Sequence, residues 1–473
     1  MVFSSPIFLF AFLPLFLAIY YLTPFRGKSW VILGASYLFY AWWRIDFVLL
    51  FFAVTLWNYW NGLLIARAEG AAAKRWLVAG VLVNLGVLGY FKYANFGIEN
   101  LNALLVALGG APLQLAHIIL PIGISFYIFH CISYLVDLHR KDAEPIGRFV
   151  DFAAFIALFP QLICGPILRY KDLAPQFRAR THSVELFAQG AVRFMIGFVK
   201  KVLIADSIAP LVDMCFGAAE PGMLDAWIGG LAFCLQLYFD FSGYSSMAVG
   251  IGLMMGFRLT ENFNMPFLSQ SYSEFWRRWH MSLMTWLRDY VYIPLGGSSG
   301  GLASTNRNIF ITIMASALWH GANWTFVMLG LFMAGVMMLE RIAGASGKPV
   351  PGLRGALKVV GYMLITIPVF IMFRAESVTQ GLVVWSGMAG LHGWQGDAVH
   401  LFYPALSLLL VAVGLLVVYA VEPLYVGRPL LEARRPAQAV ADRVLLIVVL
   451  PLFLLAVSRL LAQHYTPFLY FAF

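Results

Sequence analysis

With 473 residues, 61% of them hydrophobic and only 12% charged, the chain lies far from the roughly 25% charged content of soluble domains, which excludes a water-soluble globular fold. The net charge of +9 does not point to nucleic acid, because the lysines and arginines fall in short clusters between apolar spans rather than along one basic face. Four cysteines (Cys131, Cys164, Cys215, Cys234) stand singly without CxxC spacing, which favours buried thiols over a disulfide framework or a zinc site.

The first 24 residues are apolar but lack a basic start and a small-residue cleavage site, so they read as a first span rather than a removed signal. Stretches able to cross about 30 Å of hydrocarbon follow near 29–43, 46–66, 76–95, 117–138, 150–168, 186–213, 225–255, 308–339, 357–374, 402–421 and 443–462. Together they predict about eleven to thirteen full or partial crossings. The stretch 150–168, broken at Phe159-Pro160 and Gly165-Pro166, reads as re-entrant rather than spanning. No charged or Pro/Gly/Ser-rich linker separates these stretches, so 1–473 reads as a single integral membrane domain of all-α polytopic class.

Positive charge sets sidedness. Clusters at Arg26/Lys28, Arg67/Lys74/Arg75, Arg140/Lys141/Arg148, Arg169/Lys171/Arg178/Arg180 and Lys200/Lys201 are expected on the cytoplasmic face. Turns in the Lys/Arg-free runs 93–139, 202–257, 308–340 and 375–427 are then candidates for the outer face.

Between about 236 and 330 polar and ionisable groups interrupt the apolar pattern, and such groups at membrane depth are functional candidates because burying them is costly. Asp240 sits in an otherwise uncharged span and must be paired or hydrated; it either locks helix packing or takes part in chemistry. The segment 271–290 begins with Ser271-x-x-Glu274, a capping box, and predicts a helix on which Trp276 and His280 share a face and Arg277 lies one turn from His280. With Arg278, this aromatic and basic helix suits a membrane surface or the lining of a channel for an anionic substrate. His320 lies inside the long Arg/Lys-free apolar run 308–340, flanked by Trp319 and Asn323. Burial favours the uncharged imidazole that a proton acceptor needs, although a lone buried histidine also serves as a structural residue. His280 and His320 lack the i,i+4 spacing of a helical metal chelate, and no GxSxG or P-loop occurs.

Several segments carry a resemblance: Tyr90-Phe91-Lys92-Tyr93-Ala94-Asn95-Phe96, Leu120-Pro121-Ile122-Gly123-Ile124-Ser125-Phe126-Tyr127, Tyr238-Phe239-Asp240-Phe241-Ser242-Gly243-Tyr244, Glu261-Asn262-Phe263-Asn264, Phe275-Trp276-Arg277-Arg278-Trp279-His280 and Leu318-Trp319-His320-Gly321-Ala322-Asn323. Through these, and from Met1 to the Pro467–Phe471 tail, the chain resembles the membrane-bound O-acyltransferase (MBOAT) family, in its bacterial alginate O-acetyltransferase branch. One departure is Ser246, where similar proteins carry aspartate.

The resemblance implies a ring of tilted helices around a central funnel, an MBOAT core over about 117–345 and peripheral helices at both ends. It implies that His320 is the catalytic histidine and that His280, at a position held by His or Asn in the family, orients the acceptor or polarises a thioester. Asp240, Trp276, Arg277, Arg278, Trp319 and Asn323 would support the site or line its channel. It implies acetyl-CoA or another acetyl thioester as donor, no permanently bound cofactor and no metal. The partners implied are the bilayer, a periplasmic SGNH-type acetyltransferase and a polysaccharide synthesis and export complex. The location implied is a bacterial inner membrane, and the product is an O-acetylated exopolysaccharide such as alginate or cellulose.

A transporter or export component of a polysaccharide secretion complex is the competing class; it would predict internally symmetric discontinuous helices, and no repeat stands out.

Overall fold

The structure is a computed structural model that describes residues 1–345, 349–426 and 436–462, with side chains described from 444 in the last segment. The Pro467–Phe471 tail lies outside the described residues. Among those described there is no β-strand, and helices account for nearly all regular structure, as an apolar chain in lipid requires, since every backbone donor and acceptor must be satisfied within its own segment. Among the described residues six helices are long and apolar enough to cross a membrane: Asp46–Arg67, Gly70–Ala107, Trp324–Ile342, Gly352–Arg374, Ala405–Leu424 and Val444–Ala462. Phe8–Leu22 and Ile124–His139 are shorter apolar helices. This is fewer than the hydrophobic stretches predict, because several of them are broken or carry polar residues in mid-helix.

The packing divides into two compact units. The first comprises Met1–Ser183 and Met255–Leu259. Its core is aromatic: Phe159 is met by Phe16, Phe12 and Phe39 at ring separations of 5.0, 5.4 and 5.6 Å. The break predicted at Phe159-Pro160 is present. One helix ends at Ala157, Leu158 leaves the helical region (φ −49, ψ 103), and a single turn Phe159–Leu162 follows. Phe159 N–H donates to Ser36 Oγ (3.2 Å), replacing a bond that the break frees. Helices Asp46–Arg67 and Gly70–Ala107 are joined by a reciprocal amide pair, Asn58 with Asn84 (3.0 and 2.7 Å), so neither buried amide is left without partners in an apolar setting. Gly123 (φ +72) enters helix Ile124–His139, where a β-carbon would lie 2.4 Å from the Leu162 carbonyl oxygen.

The second unit comprises Val184–Met254 and the described residues from Thr260 onward. At its centre the 32-residue helix Met223–Met254 packs against Val184–Val199 through two glycine pairs. A β-carbon on Gly190 would sit 2.5 Å from the Gly250 carbonyl oxygen, and one on Gly197 would sit 2.4 Å from that of Gly243. The pairing 190 with 250 and 197 with 243 makes the helices antiparallel and in backbone contact, the close approach that small residues permit in lipid. Gly243→Val is therefore expected to force these helices apart and abolish accumulation of folded protein, whereas Gly86→Val, where a β-carbon meets nothing, is expected to be tolerated; detergent size-exclusion profiles of the two variants would check this.

After Val199 the chain makes a π-helical turn, Lys200–Ala205, before helix Asp206–Gly217. Here the structure corrects the sequence reading. Lys200 and Lys201 are not surface markers of sidedness but buried, 5% and 2% exposed. Lys200 pairs with Glu422, whose other oxygen accepts from the Tyr238 hydroxyl (2.6 Å). Lys201 pairs with both Asp206 (2.7 Å) and Asp240 (2.5 Å). The wider π turn directs two consecutive lysines inward, consistent with the frequent use of such turns where side chains are needed in unusual directions. All four cysteines are buried and free.

Candidate active site

The residues singled out in the sequence fall into two groups. His280, Trp319 and His320 come together; Asp240, Trp276, Arg277, Arg278 and Asn323 do other things.

Ser271 caps helix Tyr272–Arg278, accepting from Glu274 N–H (3.0 Å). The Glu274 carboxylate returns to Gln270 N–H (2.9 Å) and also holds Arg278 (2.8 Å). The helix then stops, contrary to the continuous helix predicted over 271–290. Trp279 is extended and His280 adopts the left-handed region (φ +45, ψ 51), after which Met281–Leu287 begins a second helix. The shared face expected of Trp276 and His280 therefore does not exist. Trp276 packs with Tyr272 and Phe275 (6.0 and 5.2 Å), Arg277 is exposed, and Arg278 is paired with Glu274.

What breaks the helix is a strand-like strap, Asn262–Asn264, lying alongside it. Asn264 N–H donates to Arg278 C=O (3.0 Å), Met281 N–H donates to Asn262 C=O (2.9 Å), and the Asn262 side-chain oxygen accepts from Ser282 N–H (3.2 Å) and Ser282 Oγ–H (2.6 Å). These bonds fall on both sides of His280 and hold its unusual backbone. The motif Glu261-Asn262-Phe263-Asn264 marked the segment, but nothing in its spacing disclosed that Asn262 positions His280.

His280 is buried, 1% exposed, with its ring edge against Phe241 (4.7 Å) and facing Trp319 (5.8 Å). Neither of its ring nitrogens has a hydrogen-bond partner among the described residues. Trp319 continues to His320 (5.0 Å), so one indole bridges the two imidazoles. His320 is half-buried and ends helix Gly301–His320, walled by Phe373 (5.1 Å) and Phe326 (6.3 Å, nearly parallel). Gly321 follows because a β-carbon there would lie 2.2 Å from the Phe326 ring. Gly321→Ala is accordingly expected to displace Phe326 and with it the His320 ring. It should lower activity at least tenfold at near-normal protein levels, which activity normalised to purified protein would measure.

Asn323 caps the next helix, Trp324–Ile342. Its oxygen accepts from Thr325 N–H (3.0 Å) and its amide donates to Glu376 C=O (3.2 Å), so it fixes the turn after His320 rather than facing a substrate. Asp240 binds Lys201, while the adjacent Phe241 is the residue that touches His280. Asp240 and Phe241 are neighbours on helix Met223–Met254, which links the ion pair to the His280 contact.

Two aromatic-walled imidazoles joined through an indole offer proton acceptance and hydrogen-bond donation. Comparison with known proteins identifies the family. The model of the MBOAT, membrane-bound O-acyltransferase family, matches residues 124–346. A probable alginate O-acetylase of Azotobacter vinelandii is 47% identical over 100% of both chains. A peptidoglycan O-acetyltransferase of Helicobacter pylori is 33% identical over 83% of this chain and 80% of its own. A teichoic acid D-alanyltransferase of Bacillus subtilis is 29% identical over 54% of this chain and 71% of its own. The chain belongs to the membrane-bound O-acyltransferase family and is a multi-pass O-acetyltransferase.

Proposed function

We propose that this protein moves acetyl groups from a cytoplasmic thioester, acetyl-CoA in the first instance, for O-acetylation of an exported polysaccharide at a bacterial inner membrane. Alginate is the favoured polymer, since full-length relatives are probable alginate O-acetylases; cellulose is the second choice. The observation that carries the mechanism is the His280–Trp319–His320 arrangement, with both His280 ring nitrogens buried and unpartnered.

In this reading the half-buried His320 accepts the proton of an acceptor hydroxyl. The resulting oxygen nucleophile attacks the thioester carbonyl, and the N–H of neutral His280 or of the Trp319 indole stabilises the developing oxyanion. The C–S bond then breaks, and the thiolate leaves with the proton from His320. A buried donor without a protein partner is costly, and that cost is offset when the oxyanion arrives. A periplasmic SGNH-type acetyltransferase would receive the acetyl group and pass it to the polymer.

The test is the exported polymer of cells lacking this protein, complemented with wild type or with His280→Ala. The enzymatic reading expects polymer at normal yield without acetyl esters. Loss of export with residual polymer still acetylated would instead favour the transporter class.

A further inference from the structure

Within the first unit, the short link 179–183 and the start of helix Lys28–Ala41 bring three basic side chains onto one tyrosine. The Lys28 ammonium lies 4.0 Å above the Tyr20 ring and donates to the Tyr20 carbonyl (2.5 Å). Arg180 Nε–H donates to the Tyr20 hydroxyl (2.9 Å), and His182 Nε2 lies 3.0 Å from the same oxygen. The hydroxyl spends its one proton on the Met255 carbonyl (2.7 Å), so His182 Nε2 is the donor in that contact and Nδ1 is left over. Gly256 (φ +81) seats the link, for a β-carbon there would lie 2.6 Å from the Thr181 carbonyl oxygen.

Among the described residues the cluster has no counter-charge. Nearby basic residues of the unit are matched: Arg169 with Asp172, Lys171 with Asp142, Arg178 with Glu144. Lys28, Arg180 and His182 have no carboxylate within ion-pair distance among the described residues. Lys28 is 7% exposed, and Arg180 Nη2 is buried and donates to nothing. Burial together with the charges of Lys28 and Arg180 holds His182 below the ordinary histidine range, which records how closely the cations crowd. Gathering buried like charges without an anion is unfavourable by both desolvation and repulsion, and the aromatic floor of Tyr20, Phe25 and Phe257 offsets only part of it.

We infer that Lys28 and Arg180, beside His182, form a binding site for a phosphate group, carried either by an anionic phospholipid or by a soluble phosphate ester. A phosphate presents the several acceptor oxygens that a free guanidinium nitrogen and an ammonium call for, and it neutralises the cluster.

The test uses full-length protein with two probes: 3′,5′-ADP titrated calorimetrically in neutral detergent, and native mass spectrometry from nanodiscs of equal phosphatidylglycerol and phosphatidylcholine. Retention of phosphatidylglycerol alone assigns the site to lipid, and saturable 3′,5′-ADP binding assigns it to a soluble ester; either supports it. Lys28→Met and Arg180→Gln should each weaken the retained probe roughly tenfold or more, while Lys28→Arg should keep it, with thermal unfolding confirming folded protein. Wild-type protein that retains neither probe overturns the assignment, as does unchanged binding in both neutral variants; the wild-type arm decides even if a variant fails to fold.

Discussion

Replacement of His320 by alanine is expected to reduce acetyl transfer by roughly 10²–10⁴-fold, the usual contribution of a general base, while membrane levels stay near those of wild type. The stability part follows from its position: His320 is half-buried at the last residue of a helix, so truncation there creates little cavity. The activity part follows from its surroundings, where Trp319, Phe326 and Phe373 supply bulk but no replacement base. His320→Gln should be as inactive as His320→Ala, because an amide can hydrogen-bond but cannot take up a proton at neutral pH. Acetyl ester content of the exported polymer, set against immunoblots of the membrane fraction, measures both. If the glutamine variant kept most of its activity, hydrogen bonding rather than proton transfer would be the role of this side chain.

The second large effect is on stability. Lys201→Met is expected to destabilise the protein by about 3–5 kcal/mol, the range for removing one partner of a buried ion pair. Lys201 and Asp240 are 2% and 1% exposed, and Asp206 shares the same ammonium, so the substitution leaves two carboxylates facing each other with their common cation gone. Adding Asp240→Asn to Lys201→Met should recover part of the loss, since it removes one stranded charge. Thermal unfolding in detergent of the single and double variants gives the comparison. A Lys201→Met protein with unchanged unfolding temperature would mean that the network contributes nothing net.

Much of this was readable in the amino acids, and the failures share a cause. His320 stood out because a single ionisable group in a long apolar run has few explanations, and the structure places it beside His280 through Trp319. The break at Phe159-Pro160 was legible because proline acts locally. The buried lysines were not: positive charge near a span end ordinarily marks the cytoplasmic side, and the partners that overrule this for Lys200 and Lys201 are Glu422, 222 residues away, and Asp240. The interruption at His280 was equally hidden, because the Ser271 cap and the periodicity after it both read as an unbroken helix, while the bonds that stop it come from Asn262. Where a contact is set by residues near in sequence, composition and spacing disclose it; where it is set across the fold, they do not.

The left-handed backbone at residue 280 also acts as a sieve on which side chains that position can accept. Histidine and asparagine are among the few non-glycine residues that occupy this region readily, whereas a branched aliphatic side chain is strongly disfavoured. The alternation of His and Asn implied by the family resemblance is then a choice admitted first by chirality, and only afterwards sorted by what each side chain can donate.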